Sequence, residues 1–182
     1  MPCLYSRTRP ADRDWHQYRM KNDEKTFATI VRDWYEPIYW HIRRLVVSHD
    51  DAEDIAQETF IKAYRHLWQL RDPDALKPWL YRIATNEINR HFGKKRESVE
   101  LGEELVSRLE ESAHVNFDDA AGVRLQKAIL TLPPQQRTVF CLKYYDDMSY
   151  EEMSYVTGTR PETLKVHWHL AKKKIENLII DE

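Results

Sequence analysis

Apolar residues recur along most of this chain at intervals of three and four, the spacing that gathers them on one side of an α-helix. From about residue 23 the set Phe27, Ile30, Val31, Trp34, Tyr35, Ile38, Ile42, Leu45 and Val46 predicts a long helical stretch, which Pro37 is expected to end or kink. Ser48, His49 and Asp50 supply a turn and a capping side chain. Residues 51–67 then carry Ala52, Ile55, Ala56, Thr59, Phe60, Ala63 and Leu67 as one stripe, with Asp54, Gln57, Glu58, Ile61 and Arg65 on the opposite side. After the turn-forming Arg71-Asp72-Pro73-Asp74, a third helix over residues 76–96 buries Trp79, Leu80, Ile83, Ala84, Ile88 and Phe92. It leaves Arg82, Asn86, Asn89, Arg90 and the Lys94-Lys95-Arg96 run outside.

The pattern weakens over residues 97–121, where Leu101, Leu105, Val106 and Leu109 suffice for a short helix but not for a core. It returns near Val123 with Leu125, Ala128, Ile129 and Leu132, is broken by Pro133-Pro134, and resumes in Arg137, Phe140, Cys141, Tyr144 and Tyr145 up to Asp146-Asp147. Ser149, with Glu152 three residues later, has the form of a capping box opening a short helix to Val156. Thr157-Gly158-Thr159 makes a tight turn, and Arg160-Pro161 opens a last helix whose stripe is Leu164, Trp168, Ala171, Ile175 and Leu178. Short helix, glycine turn and basic helix together have the form of a helix-turn-helix. The expected fold is all-α, with two small helical domains joined by an acidic linker and the helix-turn-helix in the second. The expected divisions are an extension over 1–22, a first domain over 23–96, the linker over 97–121 and a second domain over 122–182.

Composition supports this reading and narrows it. With 42% hydrophobic and 32% charged residues and only 4 Gly in 182, the chain reads as charged and helix-rich, and no apolar run approaches the roughly 20 residues of a membrane span. The first residues contain arginines but no apolar segment, so no secretory signal is expected and the protein is placed in the cytoplasm without membrane insertion. Cys3 and Cys141 lack the spacing of a cysteine zinc site. The net charge of -2 conceals a segregation. Basic residues gather in 82–96 and 160–174, on either side of a stretch holding Glu97, Glu100, Glu103, Glu104, Glu110, Glu111, Asp118 and Asp119 against Arg108. Two basic blocks flanking an acidic one suit two nucleic-acid contacts and a connector that avoids phosphates.

Phosphate-cradling glycine loops and a zinc-protease HExxH are absent, and His167 and His169 are two apart and so on different faces of their helix. The acids at Asp50, Asp51, Glu53 and Asp54 have no positioned base or nucleophile beside them, so no catalytic residue, metal or cofactor is expected. Two readings fit the polar face around Ile61: a solvated helix exterior carrying one apolar residue, or a docking surface for another protein. The third helix likewise reads as an amphipathic helix with a basic end suited to its dipole, or as a nucleic-acid contact with groups for phosphates and base edges.

DAEDIAQETFIKAY, through Asp51, Glu53, Asp54, Gln57, Glu58, Thr59 and Phe60, resembles region 2.2 of the extracytoplasmic-function (ECF) bacterial sigma factors. PWLYRIATNEINRHF resembles their regions 2.3 and 2.4, and the segment from LPPQQRTVF to HLAKKKI resembles their region 4. The resemblance implies a sigma factor that brings core RNA polymerase to promoter DNA and opens the minus-ten region. Asp51, Asp54, Gln57, Glu58 and Ile61 would then meet the β′ clamp helices. Arg71, Asp72, Arg82, Asn86, Asn89 and Arg90 would meet the minus-ten strand, with Asn86 lining the pocket for an extruded base. Arg160, Thr163, Lys165, Val166, His169 and Lys173 would meet the minus-thirty-five duplex, and the second domain would also touch the β-flap. An anti-sigma factor is an implied partner. Val166, His167 and Leu170 depart from the Ser, Arg and Arg usual in the family, which separates this chain's promoter sequence from those of its relatives. The rival readings are a stand-alone helix-turn-helix regulator, which has no use for the acidic helix, and a sigma-like decoy for an anti-sigma factor.

Overall fold

The computed structural model describes residues 24–93 and 120–180, and among them all regular structure is helical. The extension over 1–22, the Lys94-Lys95-Arg96 run and nearly all of the acidic segment, with the short helix expected there, lie outside the described residues. Three helices, α1 (Glu24–Val46), α2 (His49–His66) and α3 (Leu76–Gly93), make the first domain. Four more, α4 (Ala120–Leu130), α5 (Pro134–Tyr144), α6 (Tyr150–Thr157) and α7 (Pro161–Ile180), make the second.

Pro37 neither ends α1 nor shortens it: the helix continues to Val46. The missing backbone donor costs on the order of 3 kcal/mol in a helix interior. That loss is outweighed by Ile30, Trp34, Ile38 and Ile42, four fully buried side chains of one stripe on either side of the proline, each contributing about 1.5–3 kcal/mol. The chain reverses between α1 and α2 through Val47, a buried β-branched residue at φ 66°. Ser48 then starts α2, its side chain accepting the Asp51 amide as the sequence leads one to expect.

The α2 stripe packs between α1 and α3 with Ala52, Ala56, Thr59 and Ala63 at 0% exposure, so that small side chains let the three helices approach closely. In the second domain α7 packs across α4, α5 and α6. Arg137, buried in α5, donates to the carbonyls of Leu130 (2.6 Å) and Leu132 (3.1 Å) and so satisfies the end of α4. Burial lowers the pKa of this guanidinium, and the two carbonyls are what it gains in return. The stripe of α7 was expected to include Leu178, which is 38% exposed; the buried positions stop at Ile175. Periodicity identifies the side of a helix that faces a core and is silent on how far along the helix the core extends.

The two domains do not stand apart. α3 packs on α6, α1 on α5, and the buried apolar residues of both halves form one continuous cluster.

Candidate functional site

On α2, Asp54, Gln57, Glu58, Ile61 and Arg65 are all exposed. At 100° per residue they fall within an arc of about 100° centred on Ile61. Ile61 is 43% exposed with charged or amide side chains around it. The same face runs on through Tyr64 and Trp68, the latter 67% exposed and held by its indole N–H on the Arg65 carbonyl at 3.1 Å. Sequence periodicity pointed to Ile61 and not to these two aromatics. Asp51 sits at the edge of the face, half-buried, with His91 Nε2 of α3 at 3.6 Å from its carboxylate. The structure therefore groups Asp54, Gln57, Glu58 and Ile61 as one surface and turns Asp51 toward α3.

The loop into α3 keeps Arg71 and Asp72 exposed. Asp72 also has a local duty: its carboxylate accepts the Asp74 amide at 3.0 Å and caps the single turn Pro73–Ala75. Along α3, Arg82, Asn86 and Asn89 make an exposed row, with Arg90 beside it. Arg90 pairs with Glu87, a buried carboxylate that also receives Lys62 from α2. One buried acid thus ties α2 to α3 and restrains an arginine at the edge of the row.

That row does not look onto open solvent alone. The Arg82 guanidinium lies over the Tyr155 ring of α6, 4.8 Å from its centroid. Asn86 and Asn89 line a cavity of about 380 Å³ whose far wall includes Thr138, Thr159 and His167 of the second domain. The domains are fastened beside it by Asp146, at the end of α5. One oxygen of its buried carboxylate accepts from His41 Nδ1 of α1 at 2.7 Å, the other from the Tyr81 hydroxyl of α3 at 3.2 Å. The Asp146 carbonyl accepts from Lys77 Nζ at 2.6 Å. Arg44 stacks over Tyr145 at 4.0 Å and Gln126 donates to the Arg44 carbonyl at 2.8 Å. Burial first, and then the neighbouring Asp146 charge, push the Tyr81 hydroxyl pKa well above its usual value. His41, Tyr81 and Asp146 lack a sequence signature, since isolated polar residues within apolar stripes show no period.

In the second domain the capping box is complete: Ser149 Oγ accepts the Glu152 amide at 3.1 Å and Glu152 accepts the Ser149 amide at 2.8 Å. Gly158 takes φ 70°, which only glycine adopts without strain, and ends α6 so that α7 can begin at Pro161. Arg160, Thr163, Lys165, Val166, His169 and Lys173 are all exposed. Leu164, Ala171 and Ile175 are buried on the other side of α7 and fix its rotation. Among the described residues no cluster of three metal-ligating side chains occurs, and no helix is long and apolar enough to cross a membrane.

Known proteins carry the same layout. The Sigma-70 region 2 family matches residues 30–98, and the Sigma-70 region 4 family matches residues 122–175. The ECF RNA polymerase sigma factor SigW of Bacillus subtilis is 31% identical over 88% of this chain and 92% of its own. The RNA polymerase sigma-H factor of Pseudomonas aeruginosa is 27% identical over 94% and 95%. Among solved structures, the sigma factor RpoE of Bartonella quintana, in complex with the anti-sigma factor NepR, superposes with a TM-score of 0.70 at 23% identity, covering 85% of this chain and 97% of that one. CnrH, in complex with the cytosolic domain of CnrY, gives 0.66 at 21%, covering 92% and 96%. With both sigma regions in order and a relative of this identity spanning nearly its whole length, the chain belongs to the ECF RNA polymerase sigma factors, which direct core polymerase to promoters.

Proposed function

We propose that the α2 face of Asp54, Gln57, Glu58 and Ile61, with Asp51 at its edge, docks on the β′ clamp helices of core polymerase. The α3 row of Arg82, Asn86, Asn89 and Arg90, with Arg71 and Asp72 of the preceding loop, holds the minus-ten strand. Capturing an extruded base offsets the few kcal/mol that unstacking costs. α7 presents Arg160, Thr163, Lys165, Val166, His169 and Lys173 to the minus-thirty-five duplex, and the second domain reaches the β-flap. The two domains act as units over about 23–96 and 122–182, joined by the acidic linker. The protein works in the cytoplasm, performs no covalent chemistry, needs no cofactor, and is restrained by an anti-sigma factor. Of two similar folds, one was solved with an anti-sigma factor bound and the other with the cytosolic domain of CnrY, which supports that last point.

The observation that carries this reading is the α2 face, an apolar residue ringed by exposed acids and amides on a helix whose other side is fully packed. Replacing Gln57 and Glu58 together by Lys is expected to abolish binding to core polymerase while leaving the helical circular-dichroism spectrum unchanged. Retained binding sinks the docking assignment. Run-off transcription with purified core on a genomic library supplies the promoters, as start sites that appear only with the chain present.

Reading both promoter elements requires the domains to part. Their centres lie about 25 base pairs from each other, or about 85 Å at about 3.4 Å per pair. A compact body of ~130 residues has a radius of gyration of only about 14 Å. The packed arrangement is therefore the resting form, and the form on promoter DNA is open.

A further inference from the structure

We infer that Val166 and Leu170 read thymine methyl groups in the minus-thirty-five element, so that this sigma factor selects that element partly by hydrophobic contact. The inference rests on the proposed meeting of α7 with the minus-thirty-five duplex, where the second helix of a helix-turn-helix enters the major groove, and specifies what the helix recognises there.

Counting 100° per residue around α7, the buried Leu164, Ala171 and Ile175 mark the core side, and Val166 lies opposite them. Leu170 follows one turn later and 40° round, so the two form a single patch. Among the described residues they are the most exposed apolar side chains of the helix, at 57% and 46%. Thr163 and Lys173 flank them on the same side, with His169 at its edge, all exposed. Lys165, on the flank, lies 5.6 Å from the Tyr150 ring of α6. The exposed charges around the patch are Lys173 and Lys165 against the single acid Glu162, one turn before Val166; this basic excess favours DNA as the occupant over an apolar protein groove. In the major groove the apolar group a base pair presents is the thymine C5-methyl, and aliphatic side chains are its natural contacts. A helix that offers valine and leucine at the centre of its reading face, and keeps hydrogen-bonding groups at the margins, is built for that methyl. Its two central residues make no hydrogen bond to a base edge.

Uracil differs from thymine only in lacking the methyl, and this gives the test. The holoenzyme, formed from core polymerase and the full chain, is titrated onto a promoter found by run-off transcription. The minus-thirty-five element is synthesised with thymine or with uracil at every T. Affinity is expected to drop about fourfold for each methyl contacted, the equivalent of one buried methylene. In the Val166→Ala and Leu170→Ala variants the thymine duplex binds more weakly and the thymine-to-uracil penalty shrinks or vanishes. Lys173→Ala weakens both duplexes equally and lowers the salt dependence. An unchanged affinity on uracil, or a full penalty persisting in the double alanine variant, overturns the inference. So does a double variant that no longer assembles with core polymerase, which assigns the patch to a protein. Failure of the functional reading looks different, because no chain-dependent start site appears at all.

Discussion

Cys141 sits in α5 with no exposed surface, and burial pushes its thiol pKa up to about 12 from the usual 9.0. Tyr81 is shifted upward too, for the same first reason and with Asp146 adding to it. The folded chain keeps these protons at pH values where the unfolded chain has released them. Stability that is complete below about pH 9 is therefore lost as pH rises toward 12, by up to about 1.4 kcal/mol per pH unit for each such proton. Urea unfolding midpoints measured between pH 8 and 10.5 are expected to decline, and Cys141→Ala should make the decline shallower. Equal slopes for the two proteins would mean that Cys141 contributes nothing to it. At ordinary pH the same thiol is expected to resist alkylation until the chain unfolds, since the thiolate is the reactive form.

Among the elements, the helix-turn-helix depends on two local devices that can be removed separately. Ser149→Ala deletes one half of the capping box and is expected to cost about 1 kcal/mol. Gly158→Ala meets no neighbouring atom within 4 Å, so its cost is purely one of backbone conformation at φ 70°, on the order of 1–2 kcal/mol. Both should lower the melting temperature, and hydrogen exchange should quicken first in α6. If exchange there is unaffected while the whole protein loses stability, the caps are not acting locally. These devices were legible in the sequence because each is a short-range pattern with its own chemistry: Ser and Glu three apart, glycine in a turn, proline at a helix start. The stripes of α2 and α3 and the exposed rows opposite them were legible for the same reason. What escaped were consequences of distance. The length of α1 beyond Pro37 depends on the core that the other helices build around its own Ile30, Trp34, Ile38 and Ile42. The pairing of Glu87 with Lys62 depends on how α2 lies against α3, and Leu178 is exposed because of where the core stops.

For the molecule as a whole, the contact that matters most links residues 105 positions apart in sequence, His41 and Asp146. No local pattern foretells it, and it joins α1 of the first domain to the end of α5 in the second. Asp146→Ala leaves a buried ring nitrogen and a buried hydroxyl without acceptors, a loss of about 1–3 kcal/mol for each. The expected outcome is a lower melting temperature and a larger radius of gyration by small-angle scattering, with the helical content kept. An unchanged radius would mean that the apolar seam between α3 and α6 holds the domains without this carboxylate. The packing of Arg82 over Tyr155 carries a consequence for titration against promoters. If Arg82 meets the minus-ten strand as proposed, a side chain engaged by the second domain is not available to that strand, and closed molecules would not compete for the element. Apparent affinity is the intrinsic affinity scaled by the open fraction. Each 1.4 kcal/mol favouring the closed form multiplies by about ten the amount of protein needed for half-occupancy. Basal transcription from such promoters is then set by the strength of a seam within the protein, and substitutions far from any DNA contact can raise or silence it.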